Sequence, residues 1–365
     1  MTGASLQERD RRWNSIRRSM EEAGLNGLLV VSDGHLERRG SIRYIADVSA
    51  KLLYGYVVFP LNGEPILICN KPGWIKDRRP VPFRGGWIID SEPYVPAIVA
   101  AIRELNLDKG PIGIEGDFLP APVYQALLTE LPDVMFSASA IVHELKMIKS
   151  AEELQLIEKG VEMVDKAYEA CVEFVCTRKS NLTWNDITAE VCRVLYRLGS
   201  EDIGGYPLSH ATDIMKGGDI YNLYPEPQAP GGHWMQFGRL IALGEPDKEL
   251  RPAWDLDTKA QELAAEKLKP GNTGGDVARA INDALKGSAY TGASRGSGHG
   301  VGLDIIERPF ISLDDETVLK PGMVVAIHPV FDPHPALFEA CADMFVVTEG
   351  KPRKLSRIAP GIAVV

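Results

Sequence analysis

The sequence contains no apolar run of the ~18 residues that a membrane-spanning helix needs, and its first segment, MTGASLQERDRRWNSIRRSM, carries charges where a secretion signal has an apolar core. A cytoplasmic protein that does not enter a membrane is the expectation. Positive charge is also short: 40 Lys and Arg stand against 50 Asp and Glu, for a net charge of -10. Such a surface repels phosphate backbones and anionic lipid, which argues against nucleic acid and membranes as partners and leaves a small-molecule substrate. Cysteines are few and odd in number, five, without zinc-ligand spacing, and read as buried thiols. What is present is ordinary for a folded chain. With 365 residues, 45% hydrophobic and 25% charged, there is enough apolar material for two domains.

The first half alternates helix-like and strand-like segments. Residues 5–23 place Leu6, Trp13, Ile16 and Met20 on one side of a charged helix, and Gly24 and Gly27 bracket the exit into LLVVS. Strand patterns follow at 54–60, 64–70 and 112–116, and helix patterns at 95–106 and 121–130, which together predict an α/β domain over residues 1–143. The pattern then changes. Ser150 and Glu153 make an S-x-x-E capping box ahead of a long helix carrying Leu154, Ile157, Val161, Val164, Tyr168, Val172 and Val175 at helical spacing. A second helix runs from Thr183 to Leu198 and ends at Gly199; a weaker echo of the pair appears at 258–287. The echo predicts an internally duplicated α+β domain over residues 144–365.

Five motifs occur in a fixed order in that second domain: LKMIKSAEEL, GRLIALGEP, KPGNTGGDV, SGHGVGLDIIERP and LKPGMVVAIHP. Over roughly residues 143–350 the chain thereby resembles the creatinase and aminopeptidase P family. The resemblance implies a pita-bread fold for the C-terminal domain, in which two pseudo-symmetric halves enclose a curved sheet, with a smaller α/β N-terminal domain. It also implies a homodimer.

Metal-dependent members of that family hold their ions with two aspartates, one histidine and two glutamates. Carried over motif by motif, the first aspartate falls near Asn222 to Tyr224, the second on Gln236, the histidine on His299, the first glutamate on His328 and the last on Ala342. Two divalent ions close together repel strongly and need bridging carboxylates. With those positions empty of carboxylate, the expectation is that no metal cofactor is bound. The alternative is a single transition metal ion on His299, His328 and His233, with Gln236 as a weak oxygen ligand.

The catalytic candidates are therefore His299, His328, His210 and Glu307. Histidine is the natural acid or base where metal-bound water is absent. His210, in PLSHATD, is the nearest counterpart of the upstream acid/base histidine that the resemblance to creatinase implies, although its segment is shorter than the family pattern. Glu307 orients a histidine, binds a cationic group or forms a structural salt bridge; the histidine that normally precedes it is here Ile306. Candidate substrate-binding residues are His233, Trp234, Gln236, Arg308, as a carboxylate anchor, and Asp343, which a pairing with Arg239 would instead explain. Tyr54, Tyr56, Trp74 and Trp87 either line a pocket mouth or form core. Three functions follow as alternatives. The first is a metal-independent, creatinase-like hydrolase cleaving a carbon-nitrogen bond in a small molecule. The second is a lyase performing β-elimination, or a mononuclear-metal hydrolase resembling the Xaa-Pro peptidases. The third is a non-catalytic relative that binds a ligand or peptide.

Overall fold

The charged segment near the start folds as α1 (Leu6–Glu22), opened by the Ser5 hydroxyl, which accepts from the Glu8 N–H, and it buries Trp13, Ile16 and Met20 along one side. The run after it becomes β1 (Gly27–Ser32), buried at every residue. Then come α2 (Gly40–Ala46), β2 (Gly55–Pro60), β3 (Ile66–Cys69), α3 (Tyr94–Glu104), β4 (Gly110–Glu115), α4 (Ala121–Glu130), β5 (Val134–Ser139) and α5 (Ile141–Met147). The strands form one sheet in the order β3-β2-β1-β4-β5, antiparallel from β3 to β1 and parallel from β1 to β5. Continuous apolar sequence suits β1 because the central strand is covered on both faces. Tyr56 lies 1% exposed against Tyr94, with ring centres 5.2 Å apart, so it belongs to this core.

This computed structural model describes residues 3–48, 55–69, 94–116, 118–178, 181–204, 212–288, 297–330 and 340–365. Tyr54, Trp74, Trp87 and His210 lie outside them. The chain divides into two units, 1–146 and 147–365. Among the described residues no helix is long and apolar enough to cross a membrane.

The second unit begins with the capping box read from the sequence. The Glu153 N–H donates to Ser150 Oγ at 3.1 Å and the Ser150 N–H donates to Glu153 Oε2 at 2.9 Å. They open α6 (Ala151–Arg178), whose buried face is Leu156, Ile157, Gly160, Val161, Met163, Val164, Ala167, Cys171 and Val175. Leu154, Tyr168 and Val172, expected on that face, are only half-buried, and Glu153 is buried instead. The shift has a packing cause: at Gly160 an added Cβ would lie 2.7 Å from both Ala229 Cβ and Met235 Sδ, so the segment 229–235 presses directly on the helix.

Next are α7 (Trp184–Arg197), α8 (Leu250–Ala265) and α9 (Gly274–Ala284). The duplication is plain in their starts: Thr183 with Asp186, and Thr273 with Asp276, form complete capping boxes on α7 and α9. The strands are β6 (Asp202–Gly204), β7 (Ile220–Leu223), β8 (Glu226–Gln228), β9 (Arg239–Ala242), β10 (Gly298–Gly300), β11 (Glu307–Phe310), β12 (Val324–Ile327), β13 (Asp343–Val346), β14 (Arg353–Lys354) and β15 (Ile362–Val364). They pair as β11-β10-β12-β13-β14, β15-β9-β7 and β6-β8, and a bridge between Gly238 and Ala342 ties the first two sheets together. Helices α8 and α9 pack Ala260, Val277 and Ile281 against Val325, Ile327 and Phe345 of the larger sheet. This is the α+β pita-bread arrangement, with a smaller α/β unit before it.

Replacing Thr183 or Thr273 by Ala is expected to cost about 1 kcal/mol each, as loss of an N-cap side chain does. Urea unfolding of each variant measures it; midpoints unchanged in both would remove the caps from the account of stability.

Candidate active site

The site is built on the unusually tight seating of β10. It lies antiparallel between β11 and β12, with His299 opposite Ala326 on one side and Phe310 on the other, and the register slips between His299 and Gly300. Glycine on both sides of the histidine is required sterically. A Cβ on Gly298 would come 2.1 Å from Ala326 O, and one on Gly300 would come 2.2 Å from Arg308 O. Both neighbours are backbone, which has nowhere to go.

His299 is 7% exposed. Its Nδ1 is 2.9 Å from Gly300 O, an acceptor, so Nδ1 carries the proton and Nε2 presents a lone pair. That lone pair faces Gln236 Nε2 at 3.1 Å, and the same amide nitrogen donates to Glu226 Oε1 at 2.7 Å. His328 follows β12 directly, where its N–H donates to Ser297 O at 3.0 Å. Its ring sits edge-on to that of His299, 5.2 Å between centres, and 6.3 Å from that of Tyr224. His299, His328, Gln236 and Tyr224 are thus brought together, as the family resemblance implies. Glu226 joins them, although the sequence reading searched for a carboxylate only as far as Tyr224. The available signal was only that Glu226 stands two residues beyond the span searched.

The remaining candidates divide. Glu307 accepts from Lys149 Nζ at 2.9 Å and from the Asp304 N–H at 3.1 Å, with the Lys149 and Glu307 side chains 2% and 5% exposed. Gly302 leaves room for this carboxylate, since a Cβ there would lie 2.7 Å from Glu307 Oε2. The structural salt bridge is the role the structure gives Glu307. Arg308 alternates to the other side of β11, 60% exposed and 3.2 Å from Asp315 Oδ2, so it is no anchor for a substrate in this cluster. Asp343 is fully buried between Arg239 Nη2 at 2.9 Å and Lys354 Nζ at 2.9 Å, which explains its retention without a substrate. Trp234 is also fully buried, its backbone N–H donating to Gly302 O at 2.7 Å, and its ring is packed inside the unit. His233 lies against α6, with Nε2 3.8 Å from Glu153 Oε1, a partner the sequence reading did not foresee.

Against this geometry, comparison with known proteins is specific. Residues 155–349, more than half of the chain, match the model of metallopeptidase family M24, and residues 12–148 match the creatinase/prolidase N-terminal domain. The chain belongs to the M24 metallopeptidase family. The M24 chain is 32% identical over 210 residues to the Xaa-Pro dipeptidase of Pyrococcus furiosus, a match covering 52% of this chain and 57% of the relative. It therefore spans little more than half the length of that curated relative. Among solved structures, the Xaa-Pro dipeptidase from Bacillus anthracis superposes with TM-score 0.79 at 20% identity over 98% of this chain and 100% of that one. The X-Pro aminopeptidase from Thermotoga maritima gives TM-score 0.82 at 18% identity, covering 97% and 99%. At those identities the likeness establishes the fold.

Two expectations are corrected. A metal-independent, creatinase-like hydrolase of a non-peptide substrate is overturned, because the relatives of this M24 chain are dipeptidases. The expectation of no metal cofactor falls with it, because the family is one of metallopeptidases. The environment of the histidines gives the physical reason why a metal-free acid/base pair was a poor choice. Burial, and then the neighbouring His299, push His328 down to about 3, and burial lowers His299 as well. Neither ring is an imidazolium at neutral pH, so neither is poised to protonate a leaving nitrogen.

The side chains do not fit the two-ion centre of the family either. Tyr224, Gln236, His299, His328 and Ala342 supply no bridging carboxylate, and among the described residues no group of three or more His, Cys, Asp or Glu is gathered to hold an ion.

Two predictions follow from this M24 site. An unfolded histidine titrates near 6.5, whereas His328 in the fold titrates at about 3, so between those values the unfolded chain binds the proton first. Stability is expected to fall as pH drops from about 6.5 towards 3, and His328→Gln to flatten that slope in urea unfolding at several pH values; an identical slope in the variant would contradict it. Lys149→Met, which leaves Glu307 buried without its cation, is expected to cost about 3–5 kcal/mol, whereas Lys149→Met with Glu307→Leu recovers most of it. Additive losses in the double variant would deny the coupling.

Proposed function

We propose that this chain is a peptide-bond hydrolase of the Xaa-Pro dipeptidase type, acting on short peptides at the cluster of His299, His328, Gln236 and Glu226. The observation that carries the reading is the retained His299, tautomerically fixed by Gly300 O so that its Nε2 lone pair meets the Gln236–Glu226 pair. The match of both halves to family models, in the order that prolidases have them, supports it. In this reading His299 and Glu226 are the acceptors that orient a hydrolytic water or a substrate amine, Gln236 holds the two in register, and Glu307 and Lys149 position the strand behind them. A homodimer working on a small substrate in the cytoplasm belongs to the same reading, supported by the family resemblance and by the acidic composition.

The test is release of free proline from a panel of Xaa-Pro dipeptides and tripeptides, with zinc and with manganese supplied. Turnover is expected, reduced roughly a hundredfold or more by His299→Ala and roughly tenfold or more by Glu226→Gln. A folded wild-type protein that cleaves none of the panel with either metal, or binds the peptides without turnover, would reject the proposal.

A further inference from the structure

A second polar cluster lies within the first unit, at the carboxyl ends of its parallel strands. Glu115 is the last residue of β4 and Ser139 the last of β5, and the register sets them side by side. In open α/β sheets this is the edge at which ligands bind. The Glu115 carboxylate is fully buried, yet three donors converge on it. Ser139 Oγ donates to Oε2 at 2.9 Å, the His143 backbone N–H donates to Oε1 at 2.9 Å, and His143 Nδ1 lies 2.6 Å from that same oxygen. A carboxylate that receives other donors on both oxygens is an acceptor only, so Nδ1 donates and carries the hydrogen of the neutral ring. Nε2 is left with its lone pair. The imidazole is 38% exposed against 0% for the carboxylate behind it, so the edge of the ring that carries Nε2 is the one turned to solvent.

Of the five histidines among the described residues, His143 alone combines these features. His233, His299 and His328 are 1%, 7% and 5% exposed. His35 is exposed, but its Nδ1 accepts from the Glu37 N–H at 3.4 Å, so its hydrogen sits on Nε2 and that nitrogen offers no lone pair.

We infer that His143 is a modification site whose Nε2 takes up a phosphoryl group from small donors of the phosphoramidate class. Nε2 attacks phosphorus, the bond from ring nitrogen to phosphorus forms as the donor's P–N bond breaks, and ammonia departs with that bond's electron pair. No oxidation state changes. The ring keeps its Nδ1 hydrogen and gains positive charge, which Glu115 is placed to offset, as the carboxylate of a catalytic triad does for its histidine. Ser139 and the His143 backbone N–H hold the carboxylate in that orientation. Phosphoryl transfer asks little more of a protein than a positioned nucleophile and offset charge, and this trio supplies both. The exposed edge of the ring leaves the phosphoryl oxygens in water, so no buried anion is created. Nothing at this site depends on the peptidase reading.

The folded protein is treated with potassium phosphoramidate, and labelling at each histidine is followed by peptide mass spectrometry under alkaline conditions. His143 is expected to react at least about tenfold faster than His35, and Glu115→Gln to slow His143 by roughly tenfold or more while His35 keeps its rate. Phosphorus nuclear magnetic resonance is expected to place the group on Nε2. In urea, where the trio is dispersed, the two wild-type histidines should react alike; if Glu115→Gln fails to fold, this comparison carries the test by itself. Labelling of His35 as fast as His143 in the folded protein, a phosphoryl group on Nδ1, the same preference in urea, or a folded Glu115→Gln protein reacting at the wild-type rate would each overturn the inference.

Discussion

The close approach of backbone on both sides of His299 is the constraint on which the site depends. Only glycine at 298 and 300 lets β11 and β12 come near enough to hold β10 in its bulged register, since a Cβ at either would meet a carbonyl oxygen at 2.1 or 2.2 Å. The imidazole is aimed by that register, and its tautomer is set by the carbonyl of the second glycine itself. Gly302 extends the same logic to Glu307, leaving space for its carboxylate and the Lys149 ammonium. One short glycine-rich segment thus fixes a nucleus of polar groups inside a sheet that is otherwise apolar.

Around this nucleus, charge is handled by pairing. Lys149 with Glu307, and Arg239 and Lys354 with Asp343, are ion pairs in which at least one partner is almost wholly buried. Each would be costly if broken, because a lone buried charge loses its hydration without compensation. Gln236 and His328 stand beside His299, where the family resemblance implies carboxylates, while the ion pairs of Glu307 and Asp343 remain.

Much of the scaffold was legible in the chain. The capping box of Ser150 and Glu153, the helices starting at Thr183 and Thr273, and the strand runs of the first unit are local signals, and local hydrogen bonding satisfies them as written. Helix α2 and strand β5 went unread because one is a seven-residue helix buried on every side, with no polar face, and the other an edge strand with Met135 exposed and no clean alternation. On α6 the helix was foreseen, but its buried face was misjudged by a fraction of a turn. Glu153 is buried there because its capping role and the approach of His233 hold it, which outweighs its polarity. Arg308, read as a substrate anchor, faces the opposite way from Glu307 because neighbouring residues on a strand must.

By itself the sequence determined the family, through the order and spacing of its glycine, proline and histidine motifs. Those are properties of position along the chain. What only the tertiary structure decided is which polar groups meet: Glu226 arrives beside Gln236 and His299, Lys149 reaches Glu307 across 158 residues of sequence, and Asp343 turns to Arg239. Meetings of this kind are fixed by sheet register and by the close backbone contacts that glycine permits, which depend on strands far apart in sequence.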